Sequence, residues 1–116
     1  MTIEDLRAIA LTLPGTTEDI KWEDHLCFNV GGKMYLVTSP DNVPVSASFK
    51  TTDELFGELT AREGIIPAPY LARNKWVGID DIGRMARDEW EELLHISYEL
   101  VFSKLPAKLR KEIRPE

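Results

Sequence analysis

Residues 26–38, LCFNVGGKMYLVT, carry the pattern that decides the fold. In the first half of the stretch, apolar side chains recur at every second position, at Leu26, Phe28 and Val30, which is typical of a half-buried strand. Two adjacent glycines separate this run from a second one, and glycine supplies the positive φ angles that a two-residue hairpin turn needs. The stretch therefore predicts a tight antiparallel hairpin.

The sequence on both sides of this hairpin predicts further strands. Before it, Ile20 and Trp22 alternate with charged residues at a period of two. After it, the turn SPDN at residues 39–42 leads into an alternating strand over residues 43–49. Pro44 cannot donate a ladder hydrogen bond, so that end of the strand is expected at an edge or a bulge.

Four helices are predicted from their start signals and their apolar periodicity. A cap residue with an acid three positions on, the spacing of a capping box, marks three starts: Thr2/Asp5, Thr51/Glu54 and Asp88/Glu91. The second of these helices is expected from Asp53 to about Ala61, and the third is the longest. Pro106 begins a short basic fourth helix.

The segment between the second and third helices predicts a second hairpin. Prolines keep residues 65–69 extended. A polar corner at Arg73-Asn74 then separates Tyr70–Ala72 from a strand over Lys75–Ile79. Hairpin-joined strands with helices around them predict one α+β domain over residues 1–116, with two layers and the helices on one face of an antiparallel sheet.

The composition restricts the function. The chain has 116 residues, and 14 Lys and Arg against 20 Asp and Glu give it a net charge of −6, unlike the basic balance of most nucleic-acid-binding domains. One cysteine excludes an intrachain disulfide framework, and with two histidines it cannot supply a four-ligand Cys/His zinc site. The N-terminus has neither a basic leader nor a long apolar run, so we expect a cytoplasmic protein without a membrane span.

An ordered set of short motifs covers nearly the whole chain: Pro14-Gly15, Glu18, Trp22, Phe28, Gly32-Lys33, Tyr35, Pro67, Tyr70, Trp76-Val77, Ser97-Tyr98 and Lys104-Leu105-Pro106. In this set the chain resembles the MmcQ/YjbR family of small bacterial proteins. The resemblance implies an α+β domain with a topology similar to that of type III secretion chaperones. It also implies DNA binding, because the family's hairpins have been likened to a pair of wings, and it assigns no catalytic residue.

For DNA binding, the relevant residues are the cations that hairpin geometry would bring together. Lys33 lies beside the glycine turn, and Arg73 and Lys75 flank the second corner. Lys21 and Lys50 extend the set. Arg73 is the expected base-reading residue because its guanidinium is a planar fork. Solvent-facing lysines at turns are also routine in soluble proteins, and no third of the sequence is basic overall.

The C-terminal helix and the aromatic residues each allow two interpretations. One basic cluster is visible in the sequence, Lys104, Lys108, Arg110, Lys111 and Arg114. It either extends a phosphate-binding surface or neutralises the partial charge of its own helix end. The rings of Trp22, Tyr35, Tyr70, Trp76 and Trp90 could stack on bases, but their place on the apolar phase indicates core. Pointing inward, Trp22 and Trp76 would anchor the sheet to the long helix.

No pattern in the sequence indicates catalysis or metal binding. His25 and Cys27 would share a strand face, but without a second cysteine the thiol is expected to be structural. The acid pairs Glu23-Asp24 and Asp80-Asp81 are typical of turns and helix caps. Nucleophile elbows, phosphate loops and HExxH are missing. We therefore expect no enzyme activity, no metal and no cofactor.

The sequence thus favours a monomeric, non-enzymatic protein that binds double-stranded DNA through its hairpin tips. Two alternatives stay open. One is a protein-interaction or chaperone-like module, in which an edge strand or a sheet face accepts a partner segment. The other is a small-ligand pocket between the sheet and the segment Pro67–Pro69.

Overall fold

The computed structural model describes residues 1–69 and 71–115. Within them the helices and strands follow in the order α1 (Ile3–Leu11), β1 (Thr16–Lys21), β2 (His25–Val30), β3 (Lys33–Ser39), β4 (Ser46–Lys50), α2 (Asp53–Thr60), β5 (Ile65–Pro67), β6 (Trp76–Ile79), α3 (Arg87–Phe102) and α4 (Ala107–Ile113). The strands form one antiparallel sheet in the order β1-β2-β3-β4-β6-β5. This confirms the predicted α+β class. In the described part of the chain, no helix is long and apolar enough to cross a membrane.

The glycine hairpin joins β2 to β3, as the sequence predicts. Gly31 and Gly32 have φ angles of 58° and 80°, the left-handed region that a type I′ turn requires at both central positions. Gly31 also lies against the chain between α3 and α4, since a Cβ atom there would sit 2.5 Å from Leu105 Cδ1. The turn therefore supports the C-terminal part of the fold.

The register of the central strands places a row of large apolar side chains under the helices. These side chains belong to directly paired residues of β2, β3, β4 and β6, namely Phe28, Leu36, Phe49 and Val77. From α3, the ring of Trp90 meets that of Phe49 edge-on, with 5.5 Å between the ring centroids. The main core therefore lies between the sheet and the helices, because this is where most apolar surface leaves water.

A second, smaller apolar cluster lies on the opposite face of the sheet. Its buried members are Cys27, Val37, Ala68 and Trp76. Trp76 is only 6% exposed, but it pairs with Lys50, one position out of phase with Phe49, so its ring faces away from α3. The prediction that Trp76 anchors the sheet to the long helix is therefore wrong.

α2 starts at Asp53 as predicted, but its capping residue differs by one position from the prediction. The hydroxyl of Thr52, and not that of Thr51, caps the helix by accepting a hydrogen bond of 3.2 Å from the Leu55 N–H. Thr51 is still part of the sheet, because its N–H donates to the Lys75 carbonyl at 2.9 Å. A cap needs a residue that has left the ladder, and that residue is Thr52.

Of the other two predicted capping boxes, one is present and one is not. The capping box of Thr2 and Asp5 is present at the start of α1. α3 begins after Ala86, which offers no side-chain cap, so Asp88 lies in the first turn and not at the cap. An acid in the first turn still stabilises the helix through the partial positive charge of its exposed N–H groups.

The second hairpin is built differently from the prediction. β6 pairs with β5, whose residues are Ile65–Pro67, and not with a strand that includes Ala72; the predicted corner at Arg73-Asn74 belongs to a 3₁₀ turn over Ala72–Asn74. The pairing continues one step beyond β5, since the Ala68 N–H donates to the Trp76 carbonyl at 3.0 Å. Tyr70 lies outside the described residues. The strand predicted over residues 43–49 is also shorter than expected, because β4 begins only at Ser46.

Candidate functional site

One end of the sheet gathers cations from separate parts of the chain. β3 begins there at Lys33, β4 ends there at Lys50, and Lys75 directly precedes β6. These three strands are neighbours, so their antiparallel order brings the three lysines to the same end. Arg73, in the 3₁₀ turn before Lys75, and Lys104, just beyond α3, complete this group. We call these five residues the basic end.

Lys50 is one of the two partly buried members of the basic end, together with Lys75. Its Nζ atom donates a hydrogen bond of 2.7 Å to the Asn74 carbonyl. Burial lowers the pKa of Lys50, and the charge of Lys104 lowers it further, while Asp53 acts in the opposite direction. Lys50 and Lys104 are thus close enough to repel each other, and a bound anion would relieve that repulsion.

Lys75 and Arg73 stand on the connection between β5 and β6. Lys75 has a φ angle of 63°, and its ammonium lies 5.0 Å from the centroid of the Phe56 ring. The face of the ring attracts the cation and restricts the lysine without neutralising it. The Arg73 side chain is exposed. The charge of Arg73 therefore faces solvent, whereas the half-buried Lys75 holds its charge beside the Phe56 ring.

The cations of the basic end have no ion-pair partner among residues 1–69 and 71–115. Six other cations of the chain are paired with carboxylates, in Arg7–Glu18, Lys21–Asp19, Arg62–Glu89, Arg84–Asp80, Arg87–Glu91 and Arg114–Glu99, whereas Lys108, Arg110 and Lys111 have no such partner in the described residues. The carboxylates of the chain thus neutralise cations elsewhere. The charge of the basic end is left available to a ligand.

The opposite end of the sheet is acidic. The turns and strand ends there carry Glu23, Asp24, Asp41, Asp80 and Asp81. Lys21, one of the five cations singled out from the sequence, lies at this end, because β1 ends where β2 begins. Its Nζ atom donates to Asp19 at 3.1 Å and to Asn29 at 3.2 Å. The structure thus brings Lys33, Lys50, Arg73 and Lys75 to one end and leaves Lys21 at the other.

The turn between β1 and β2 exposes a tryptophan that we expected in the core. Trp22 is 63% exposed and Ile20 is 59% exposed. Trp22 and Glu23 both have positive φ angles, 51° and 72°, so the chain reverses at the tryptophan itself and turns its ring outward against the edge of His25. The prediction that Trp22 packs inward is wrong for this reason. The acid pair at residues 23–24, typical of a turn, was the signal in the sequence that the strand ends before it.

His25 and Cys27 do not form a reactive pair. Burial raises the pKa of the Cys27 thiol, which packs in the small apolar cluster. The Nδ1 atom of His25 lies 2.8 Å from an Asp24 carboxylate oxygen. Within the described residues, no group of three or more His, Cys, Asp or Glu side chains is arranged to hold a metal ion.

The C-terminal cations divide between different surroundings. Lys104 belongs to the basic end. Arg114 is paired with Glu99 at 2.5 Å and lies over the Phe102 ring. Arg110 and Lys111 line a groove between α3 and α4 together with Arg114. The basic cluster of the sequence is therefore not one surface.

Comparisons with known proteins place these features in context. The family model described as YjbR matches residues 11–100. A crystal structure of a Deinococcus radiodurans protein, assigned to the domain family DUF419, is similar with a TM-score of 0.86 and 32% identity, over 97% of this chain and 87% of that one. A Pseudomonas syringae protein shares the fold with a TM-score of 0.71 and 20% identity, over 87% of this chain and 99% of that one. No protein in the curated set matches significantly.

Proposed function

The chain belongs to the YjbR family, and from this premise we propose that it is a monomeric, non-enzymatic protein of the bacterial cytoplasm that binds double-stranded DNA through the basic end. One observation carries the proposal. Five cations from distant parts of the sequence meet at one end of the sheet, and none of them has a carboxylate partner in the described residues. Phosphate contacts supply most of the affinity of such proteins for DNA.

The spacing of the basic end suits a duplex. Neighbouring strands are about 4.8 Å apart, so the backbones at Lys33, the first residue of β3, and Lys75, just before β6, are separated laterally by about 10 Å across the intervening β4. The grooves of B-DNA are about 6 Å and 12 Å wide. Lysines at this separation can contact phosphates on either side of a groove while Arg73, in the 3₁₀ turn just before Lys75, reaches towards base edges.

The members of the basic end have different roles in this proposal. Lys33 and Lys75 are phosphate contacts, since their ammonium groups are point charges on flexible stems. Lys50 and Lys104 raise the local positive potential, because their mutual repulsion favours any anion between them. Arg73 has the planar fork that can bind a guanine edge or a phosphate through two hydrogen bonds.

The test is a fluorescence anisotropy titration of labelled duplex DNA at several salt concentrations. We expect measurable binding at low salt, with a log–log salt slope of about −0.9 for each phosphate contacted. The variant with Lys33, Arg73 and Lys75 all changed to Ala should lose this binding while staying folded. A control with Lys21, Arg62 and Arg87 changed to Ala has the same net charge and should bind like the natural chain. No binding at low salt, or an equal loss in the control, would overturn the proposal.

A second candidate function, a protein-interaction module, is favoured by the β1–β2 turn. Trp22, in this turn, and Ile20, near the end of β1, are exposed, and β1 is an edge strand of the described sheet. An extended partner segment could add to such an edge and seat an apolar residue against the tryptophan. This function would be supported by a partner protein that binds the natural chain and the triple alanine variant of Lys33, Arg73 and Lys75 but does not bind the Trp22→Ser variant. A partner retained by Trp22→Ser would exclude it.

A further inference from the structure

The groove between the end of α3 and α4 has the lining of an anion site. Its volume is about 630 Å³, within the range of pockets that hold small molecules. The lining residues are Phe102, Ala107, Arg110, Lys111, Arg114 and Pro115. Three of these side chains are cationic, and no carboxylate of the described residues lines the groove.

The walls of the groove are held in place by packing. The ring of Phe102 stacks on that of Tyr98, with 5.8 Å between the centroids and 7° between the planes. The Tyr98 hydroxyl donates to the Pro14 carbonyl at 2.6 Å, which ties α3 to the end of α1. α4 is seated beside them, because Ile113 fills the space where a Cβ atom at Gly15 would be. The site would thus be largely formed before a ligand arrives.

The charge in the groove is only partly neutralised. Glu99 pairs with Arg114 at 2.5 Å, and the Arg114 guanidinium lies 3.8 Å from the centroid of Phe102. Arg110 and Lys111 have no ion-pair partner in the part of the chain that the structure describes. Among the described residues, the lining of the groove therefore carries an excess of two positive charges.

Arg110 gives the clearest sign of an absent partner. The residue is half-buried, and its Nε–H is shielded from solvent without a hydrogen-bond acceptor among the described residues. A guanidinium in this state is poorly satisfied, and an anion bound by its other nitrogens would compensate for the lost hydration. Its planar fork matches the oxygens of a phosphate.

We propose that this groove binds the dianionic phosphate group of a small molecule, held by Arg110 and Lys111 with Arg114 at its rim. The excess of two charges matches a phosphate monoester or inorganic phosphate and exceeds the single charge of a phosphodiester. None of these residues belongs to the basic end, so the site is distinct from the DNA surface proposed above and does not depend on it.

The experiment follows the amide and arginine Nε–H signals by ¹H–¹⁵N NMR during titration with inorganic phosphate at constant ionic strength. We expect saturable shifts confined to α4 and Phe102, with the Arg110 Nε–H among them. Arg110→Gln should weaken binding by about tenfold or more, the range for a hydrogen-bonded charge pair. Lys108→Gln is the matched control, because Lys108 is on the same helix but does not line the groove.

Three results would overturn the proposal. The first is the absence of saturable shifts with phosphate. The second is an equal loss of affinity in Lys108→Gln, which would show a general effect of charge. The third is equal affinity for dimethyl phosphate, which carries one charge and represents a nucleic-acid backbone. The triple variant of the basic end should bind phosphate as the natural chain does, so failure of the DNA proposal would leave this one testable.

Discussion

The hydroxyl of Ser97, on α3, donates a hydrogen bond of 2.6 Å to the carbonyl of Tyr35, on β3, across 62 positions of the sequence. The same hydroxyl accepts a bond of 3.0 Å from the Lys50 N–H, so one buried side chain joins the long helix to two strands. Backbone groups in this position would otherwise be buried without partners, which is unfavourable. The serine therefore sets how α3 lies on the sheet.

Ser97→Ala should lower the free energy of unfolding by about 1–3 kcal/mol, because it leaves a buried donor and a buried acceptor unsatisfied. Urea unfolding measures the change. Ser103→Ala is the control, since that exposed hydroxyl only bonds to the Leu100 carbonyl in the last turn of α3. Equal effects of the two substitutions would show that the Ser97 bridge contributes little.

The two glycines of the β2–β3 turn should differ in their tolerance of alanine. Both have positive φ angles, which cost about 1–2 kcal/mol for a residue with a Cβ atom. At Gly31 the new atom would also press on Leu105, whereas at Gly32 nothing lies within 4 Å. We expect Gly31→Ala to destabilise the protein by about 1 kcal/mol more than Gly32→Ala, measured by thermal or urea unfolding. If Gly32→Ala destabilised the protein more than Gly31→Ala, this would contradict the contact between Leu105 and the turn.

Trp22 should dominate the quenchable part of the tryptophan fluorescence. It is 63% exposed, whereas Trp76 is 6% exposed and Trp90 is fully buried. Acrylamide should therefore quench a red-shifted component that disappears in Trp22→Phe. Trp76→Phe should leave that component in place. If the quenchable component disappeared in Trp76→Phe and stayed in Trp22→Phe, the exposed ring would belong to Trp76 and not to Trp22.

The stability of the fold should fall at high pH through Tyr35. Burial raises the pKa of this phenol from 10.0 to about 12, and its hydroxyl donates to the Ala10 carbonyl at 3.3 Å. Because the pKa in the folded state is the higher one, this contribution is complete below pH 10.0 and is lost as the pH rises towards about 12.

In that window the free energy of unfolding should drop by about 1.4 kcal/mol per pH unit from this group alone. Tyr35→Phe removes the ionisation but also the bond to Ala10, so it should be less stable than the natural chain at neutral pH. The difference between the two proteins should shrink above pH 10. A constant difference up to pH 12 would show that Tyr35 is not the titrating group.

The sequence predicted best what depends on neighbouring residues. The turn at Gly31-Gly32 and the cap at Thr2 were correct because each is decided by a few adjacent side chains. Trp22 was misplaced because the period of two extends through it, although the chain already turns there. A periodic pattern does not show the residue at which a strand stops.

The basic end could not be read from composition. Its members are spread over residues 33–104, and every third of the sequence is balanced or acidic. They meet because β6 inserts beside β4 instead of following β5 at the edge, a non-local pairing that no short motif encodes. The sequence indicated the cations of α4 but not the groove at Arg110, for a related reason, since the aromatic wall of the groove comes from α3 and its cations come from α4.

The cations of the basic end and the acids at residues 23–24, 41 and 80–81 lie at opposite ends of the strands, and this separation contributes an electric dipole in spite of the net charge of −6. A distant polyanion repels the molecule as a whole because of its net negative charge. The electric field of the polyanion also rotates the protein until the basic end faces the polyanion. Salt screens the repulsion and the attraction over a Debye length of about 8 Å at physiological strength. The rate of encounter with a polyanion should therefore pass through a maximum at intermediate ionic strength, where net repulsion has faded and the near pole still acts.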